Sequence, residues 1–60
     1  MILTAKDIFV VYNAPGASDF HADIVKSILA GGELPEELRD VLSMDRILVD
    51  GKPRWIVNPL

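Results

Sequence analysis

The residues able to do chemistry are few and scattered. His21 is the only histidine and no cysteine accompanies it, so a zinc site would have to recruit three carboxylates or a second chain. No metal site is expected. Ser18, Ser27 and Ser43 are hydroxyl nucleophiles in principle, but none lies in a G-x-S-x-G setting and only one imidazole could serve as base. The carboxylates Glu33, Glu36, Glu37 and Asp40 crowd one short stretch. An acid/base pair needs a cleft that drives two pKa values apart, which a chain of 60 residues rarely forms. The glycine-bearing stretches "APGAS", "AGGE" and "DGKP" are not followed by the G-K-[ST] of a phosphate-binding loop. The expectation is a protein that is not an enzyme and carries no cofactor.

Charge distribution says more than net charge. The chain carries −3 overall, with Glu33, Glu36, Glu37 and Asp40 set against Arg39 in its middle. Beyond Val41, Arg46, Lys52 and Arg54 outnumber Asp45 and Asp50. Candidate partner-binding residues are therefore Glu36, Glu37, Arg39 and Asp40 on the acidic stretch, and Lys52 and Arg54 in "DGKPR". Trp55 is the one large aromatic beside those two cations; it could stack on a base or fill the core, and the core is the expected place. A generic nucleic-acid binder would be basic overall, because phosphate neutralisation supplies most of its affinity.

A chain this short makes one domain, residues 1–60, and buries only about 60% of its unfolded surface. Half its residues are hydrophobic and none is cysteine, so extra stability would have to come from packing or from a partner subunit. "MILTAKDIFVVY" lacks a basic n-region, and no segment reaches the roughly 20 apolar residues of a membrane span. A cytoplasmic protein with no membrane contact is expected.

The elements follow from periodicity and punctuation. "LTAKDI" reads as a capped helix start, with Thr4 and Asp7 as a shortened capping box, favouring a helix over 5–12. The β-branched and aromatic run Ile8 to Tyr12 makes a strand the alternative. Pro15 and Gly16 break the chain. A second helix then runs from an N-cap at Ser18 to Gly31 and Gly32, with Phe20, Ile24, Val25, Ile28 and Leu29 on one face. Pro35 at a first helical position opens a third helix over 35–43, its stripe Leu34, Leu38, Val41 and Leu42.

"ILVDGKPRWIV" is a hairpin. A two-residue Asp50-Gly51 turn would set Val49 against Lys52, so a loop over 50–54 pairing Val49 with Trp55, Leu48 with Ile56 and Ile47 with Val57 is the expected register. The core expected comprises Phe9, Tyr12, Phe20, Ile24, Ile28, Leu38, Val41, Leu42, Ile47, Val49, Trp55 and Val57. Val10, Val11, Leu48 and Ile56 are left as apolar surface for self-association or a partner.

The fold class expected is α+β: three short helices, then a C-terminal β-hairpin. That order of elements resembles a winged-helix domain, and the likeness is one of order alone. The alternative is β-α-α-β-β with a small antiparallel sheet. The function expected is a small protein-interaction module, an adaptor or inhibitor covering a surface on a larger protein, with a homo-oligomer as a further state. Its size suits an accessory protein of a phage or other mobile element. The alternative is a winged-helix DNA-binding regulator, in which Arg39 alone could make a bidentate guanine contact and Glu36, Glu37 and Asp40 would face phosphates.

Overall fold

A computed structural model describes residues 3–60 as a small α+β fold, with one main helix and a three-stranded mixed sheet that ends in a β-hairpin. Strand β1 is Val10–Tyr12, helix α1 is His21–Gly31, and strands β2 and β3 are Leu42–Val49 and Lys52–Pro59. The sheet order is β1-β3-β2, with β3 central, parallel to β1 and antiparallel to β2. The hairpin is where expected. The first and third helices are not, and the sheet of the alternative reading is mixed rather than antiparallel.

The N-terminal cap forms but does not propagate. Asp7 Oδ2 accepts from the Thr4 backbone N–H at 2.9 Å and from the Thr4 hydroxyl at 3.1 Å. The helix it opens is only a 3₁₀ turn, Ala5–Asp7, and Ile8 is already extended at φ −91°, ψ 106°. The run from Ile8 to Tyr12 has β-branched and aromatic side chains that fit a pleated surface. The edge of β3 supplies the ladder: Trp55 N–H donates to the Phe9 carbonyl at 2.9 Å, and Asn13 N–H donates to the Val57 carbonyl at 2.8 Å. Nonlocal pairing thus overrides a valid local cap.

The second helix is close to its expected bounds. A 3₁₀ turn, Ala17–Phe20, leads into α1, and Gly32 closes it in the left-handed region at φ 79°, its N–H donating to the Ile28 carbonyl at 2.8 Å. Gly16, not Ser18, precedes the first turn. Ile24 and Ile28 are buried, whereas Phe20 and Leu29 are 45% and 43% exposed, so the buried stripe is narrower than the one expected.

The third helix over 35–43 is replaced by a single 3₁₀ turn, Glu36–Leu38, after which the chain enters β2 at Leu42. Leu34 and Leu38 are both buried, as their spacing suggested. From Leu42 onward β3 captures the chain, pairing Leu42 with Pro59 and Ser43 with Asn58. The Arg39 side chain holds the loop, donating from Nε to the Leu34 carbonyl at 3.0 Å and pairing with Glu33 at 3.0 Å.

The hairpin register also differs from expectation. Asp50 and Gly51 have φ 53° and 77°, a two-residue turn of the type I′ kind whose twist matches the flanking strands. It pairs Val49 with Lys52, Leu48 with Pro53, Ile47 with Arg54 and Arg46 with Trp55. The all-apolar register would be required only if both sheet faces were buried. Here just one is.

Alternate residues of β3 make this plain. Trp55 and Val57 are 2% and 0% exposed beneath α1, with Val10, Tyr12 and Met44 packed around them. The core also takes Ile8, Ala14, Ala17 and Leu42. Phe9, Phe20, Val41 and Ile47, expected inside, are exposed instead, and Val49 is half-buried. Among the described residues no helix is long and apolar enough to cross a membrane.

Candidate functional site

The face of the sheet turned away from α1 has no layer over it among the described residues. On it stand Phe9 and Val11 from the first strand and its approach, Arg54 and Ile56 from β3, and Ile47 and Val49 from β2. The registers Val11↔Ile56↔Asp45 and Ile47↔Arg54 place them side by side. Phe9 is 55% exposed and Ile47 42%, while Val11, Val49 and Ile56 are half-buried by their neighbours. Asn13 Nδ2 donates to Asn58 Oδ1 at 2.8 Å and closes one end of this face in polar contact. Of the four residues expected as free apolar surface, Val11 and Ile56 meet here. Val10 packs against the core on the other side, and Leu48, 66% exposed, projects from the helix-side face of the hairpin.

The six charged candidates do not form one site. Glu36, Glu37, Arg39 and Asp40 precede β2, whereas Lys52 and Arg54 follow it across the turn. The eight-residue strand between them spans about 26 Å at roughly 3.3 Å per residue, most of the molecule's longest dimension of 30 Å. The molecule therefore has an acidic end and a basic end. At the acidic end Arg39 is already engaged with Glu33 and the Leu34 carbonyl, leaving the exposed Glu36, Glu37 and Asp40 without a cation of their own among the described residues.

At the basic end Arg54 is half-buried, its guanidinium 4.9 Å from the centre of the Phe9 ring. The aromatic face attracts the cation and holds the long side chain down on the sheet. On the other face Arg46 lies 6.0 Å from the Trp55 ring centre. Trp55 is too deeply buried to stack on a nucleic-acid base.

The 3₁₀ turn Ala5–Asp7 lies beside the hairpin tip because β1 runs parallel to β3 from the same end. A cleft of about 460 Å³ lies between them, lined by Leu3, Lys6, Asp7, Phe9, Gly51, Lys52, Pro53 and Arg54. Lys6 and Phe9 are the residues that sequence reasoning missed at this end. The signal was the strand propensity of Ile8 to Tyr12: read as a strand parallel to β3, it brings Lys6 to the tip.

His21 has a partner other than a metal. Its Nδ1 shares a hydrogen bond with the Tyr12 hydroxyl, the rings meeting edge to face with centroids 5.7 Å apart. Burial pushes the Tyr12 hydroxyl above its ordinary pKa of 10.0. Among the described residues no group of three or more histidine, aspartate or glutamate side chains could hold a metal ion. No protein-family model matches the chain, and no similar curated protein or solved structure is found.

Proposed function

We propose that the chain is a small protein-interaction module, an adaptor or inhibitor that covers a surface on a larger protein, rather than an enzyme. The observation that carries this reading is the open sheet face, where Phe9, Val11, Ile47, Val49 and Ile56 are grouped around Arg54, with Asp45 beside Ile56, on the side away from the single covering helix. Apolar side chains left uncovered as a group on one face, with polar neighbours around them, offer a surface that a partner can cover. Arg54 stands on the central strand between Phe9 and Ile47, and aromatic residues and arginine together are the side chains that protein interfaces favour. The alternative, a DNA-binding regulator, loses its main support in the fold: the segment that would enter a groove is one turn, Glu36–Leu38, bearing two glutamates.

The test is capture from source-cell lysate on immobilised protein, comparing wild type with a Phe9→Ser, Ile47→Ser double variant. Both positions are exposed, so the variant should keep the wild-type circular dichroism spectrum. A protein retained by wild type and lost by the variant is the expected result. Equal retention by both, or no specific retention, would refute the open face as the binding surface. Sedimentation of the protein alone distinguishes a second copy as the occupant.

A further inference from the structure

We propose that the cleft between the Ala5–Asp7 turn and the hairpin tip receives an acidic segment of the partner protein, a stretch of carboxylates around one large apolar side chain. This inference rests on the protein-interaction reading and names the chemistry of the partner.

Three cations converge on the cleft. Lys6 comes from the 3₁₀ turn, and Lys52 and Arg54 come from alternate positions of β3 on its open side. One carboxylate, Asp7, shares the lining, and its Oδ2 is taken up by the Thr4 N–H and hydroxyl. Among the described residues none of the three cations pairs with a carboxylate, whereas Arg39, at the other end of the molecule, does. Three cations against the single lining carboxylate Asp7, with the exposed Asp50 in the adjoining turn, leave the cleft an excess of positive charge that an incoming carboxylate offsets. Arg54 is the best-placed of them. Stacking on Phe9 restrains its guanidinium, so less side-chain entropy is lost when it forks onto a carboxylate.

The walls select against a bare phosphate backbone. Leu3, Phe9 and Pro53 give the cleft an apolar side able to hold a hydrophobic side chain between flanking acids. Phe9, the aromatic residue there, already carries Arg54 over its ring, so that face is closed to a nucleotide base. The exposed Glu36, Glu37 and Asp40 and the net charge of −3 oppose a long polyanion but not a short acidic segment. The cleft adjoins the open sheet face through Phe9 and Arg54, so one partner can occupy both, its apolar surface on the sheet and its acidic segment at the tip.

The experiment is heteronuclear NMR titration of the whole chain with a blocked synthetic peptide of aspartates and glutamates flanking one phenylalanine. The same peptide with asparagine and glutamine replacing the acids is the control, and a short DNA duplex is the competing anion. The acidic peptide should move the amide resonances of Lys6, Phe9, Gly51, Lys52 and Arg54. Binding should weaken as salt rises from about 0.1 M to about 1 M, where the Debye length contracts from about 10 Å to about 3 Å. The Lys6→Gln, Lys52→Gln double variant should bind at least about tenfold more weakly, since charged partners that lose complementarity lose both association rate and affinity. Both side chains are exposed, so this variant folds, and its unchanged spectrum elsewhere verifies that. Equal shifts with the uncharged control, tighter binding of the duplex, or no displaced resonance at the cleft would overturn the proposal. If capture through Phe9 and Ile47 succeeds while the peptide leaves the cleft untouched, this inference falls and the module reading stands.

Discussion

Replacing Ile24 with alanine should cost several times more than replacing Ile47, although both are apolar residues in regular elements. Ile24 is 0% exposed on the α1 face that packs on β3, whereas Ile47 is 42% exposed on the open side of β2. Truncating isoleucine to alanine removes three carbon atoms, worth about 2.4 kcal/mol at about 0.8 kcal/mol each when fully buried. The cavity left behind raises the expected cost at Ile24 to about 3 kcal/mol, within the usual range of about 2 to 5. Position 47 loses only its half-covered area and leaves no cavity, so about 1 kcal/mol is expected. A core of this size supplies no more than about 3 to 5 kcal/mol. Ile24→Ala should therefore be largely unfolded in buffer, while Ile47→Ala unfolds in one cooperative step. Urea titration followed by Trp55 fluorescence is the assay, because Trp55 is the only tryptophan and is 2% exposed. An Ile24→Val variant, expected to lose about 1 kcal/mol, provides a measurable midpoint if alanine leaves no folded baseline. Equal midpoints for Ile24→Ala and Ile47→Ala would refute the one-sided sheet, since only burial on both faces makes the two positions equivalent.

Other outcomes follow from the same geometry. Gly51→Ala should destabilise by about 1 to 2 kcal/mol through backbone strain at φ 77° alone, since a Cβ there meets nothing within 4 Å and adds no clash; an unchanged urea midpoint would refute the two-residue turn. The Lys52→Ala, Arg54→Ala double variant should lose at most about 1 kcal/mol, the stacking of Arg54 on Phe9 being its main structural contact; a larger loss in the urea midpoint would mean that these cations hold the fold. Tyr12 is the only tyrosine, so its ultraviolet titration is clean and should run above pH 10.0 because burial favours the neutral phenol. That preference stabilises the fold below the unfolded pKa of about 10 and is lost as pH rises through the folded value; Tyr12→Phe should flatten the alkaline fall in melting temperature, and an unaltered fall would exclude Tyr12 as its source.

Features written in local chemistry were legible before any tertiary contact. The α1 segment was legible from the spacing of Ile24 and Ile28 and the Gly31-Gly32 stop, and the hairpin from two apolar runs around Asp50-Gly51. The charged candidates belong to no apolar periodicity, and all but the half-buried Arg54 are exposed. Tertiary structure decided the rest. Thr4 and Asp7 form their cap whether the chain goes on as helix or strand, so only the edge of β3 could make 10–12 a strand. Pro35 and the glutamates start a helical turn, but from Leu42 the chain pairs along β3, Leu42 with Pro59 and Ser43 with Asn58, a partner that the local sequence does not contain. The register turned on how many sheet faces are buried, which no strand sequence contains: one helix covers one face, so mixed pairs such as Ile47 with Arg54 are tolerated on the other. That same fact turned Phe9 from an expected core residue into the stacking platform for Arg54, while the parallel pairing of β1 with β3 brought Lys6 to a tip 46 residues away in the chain.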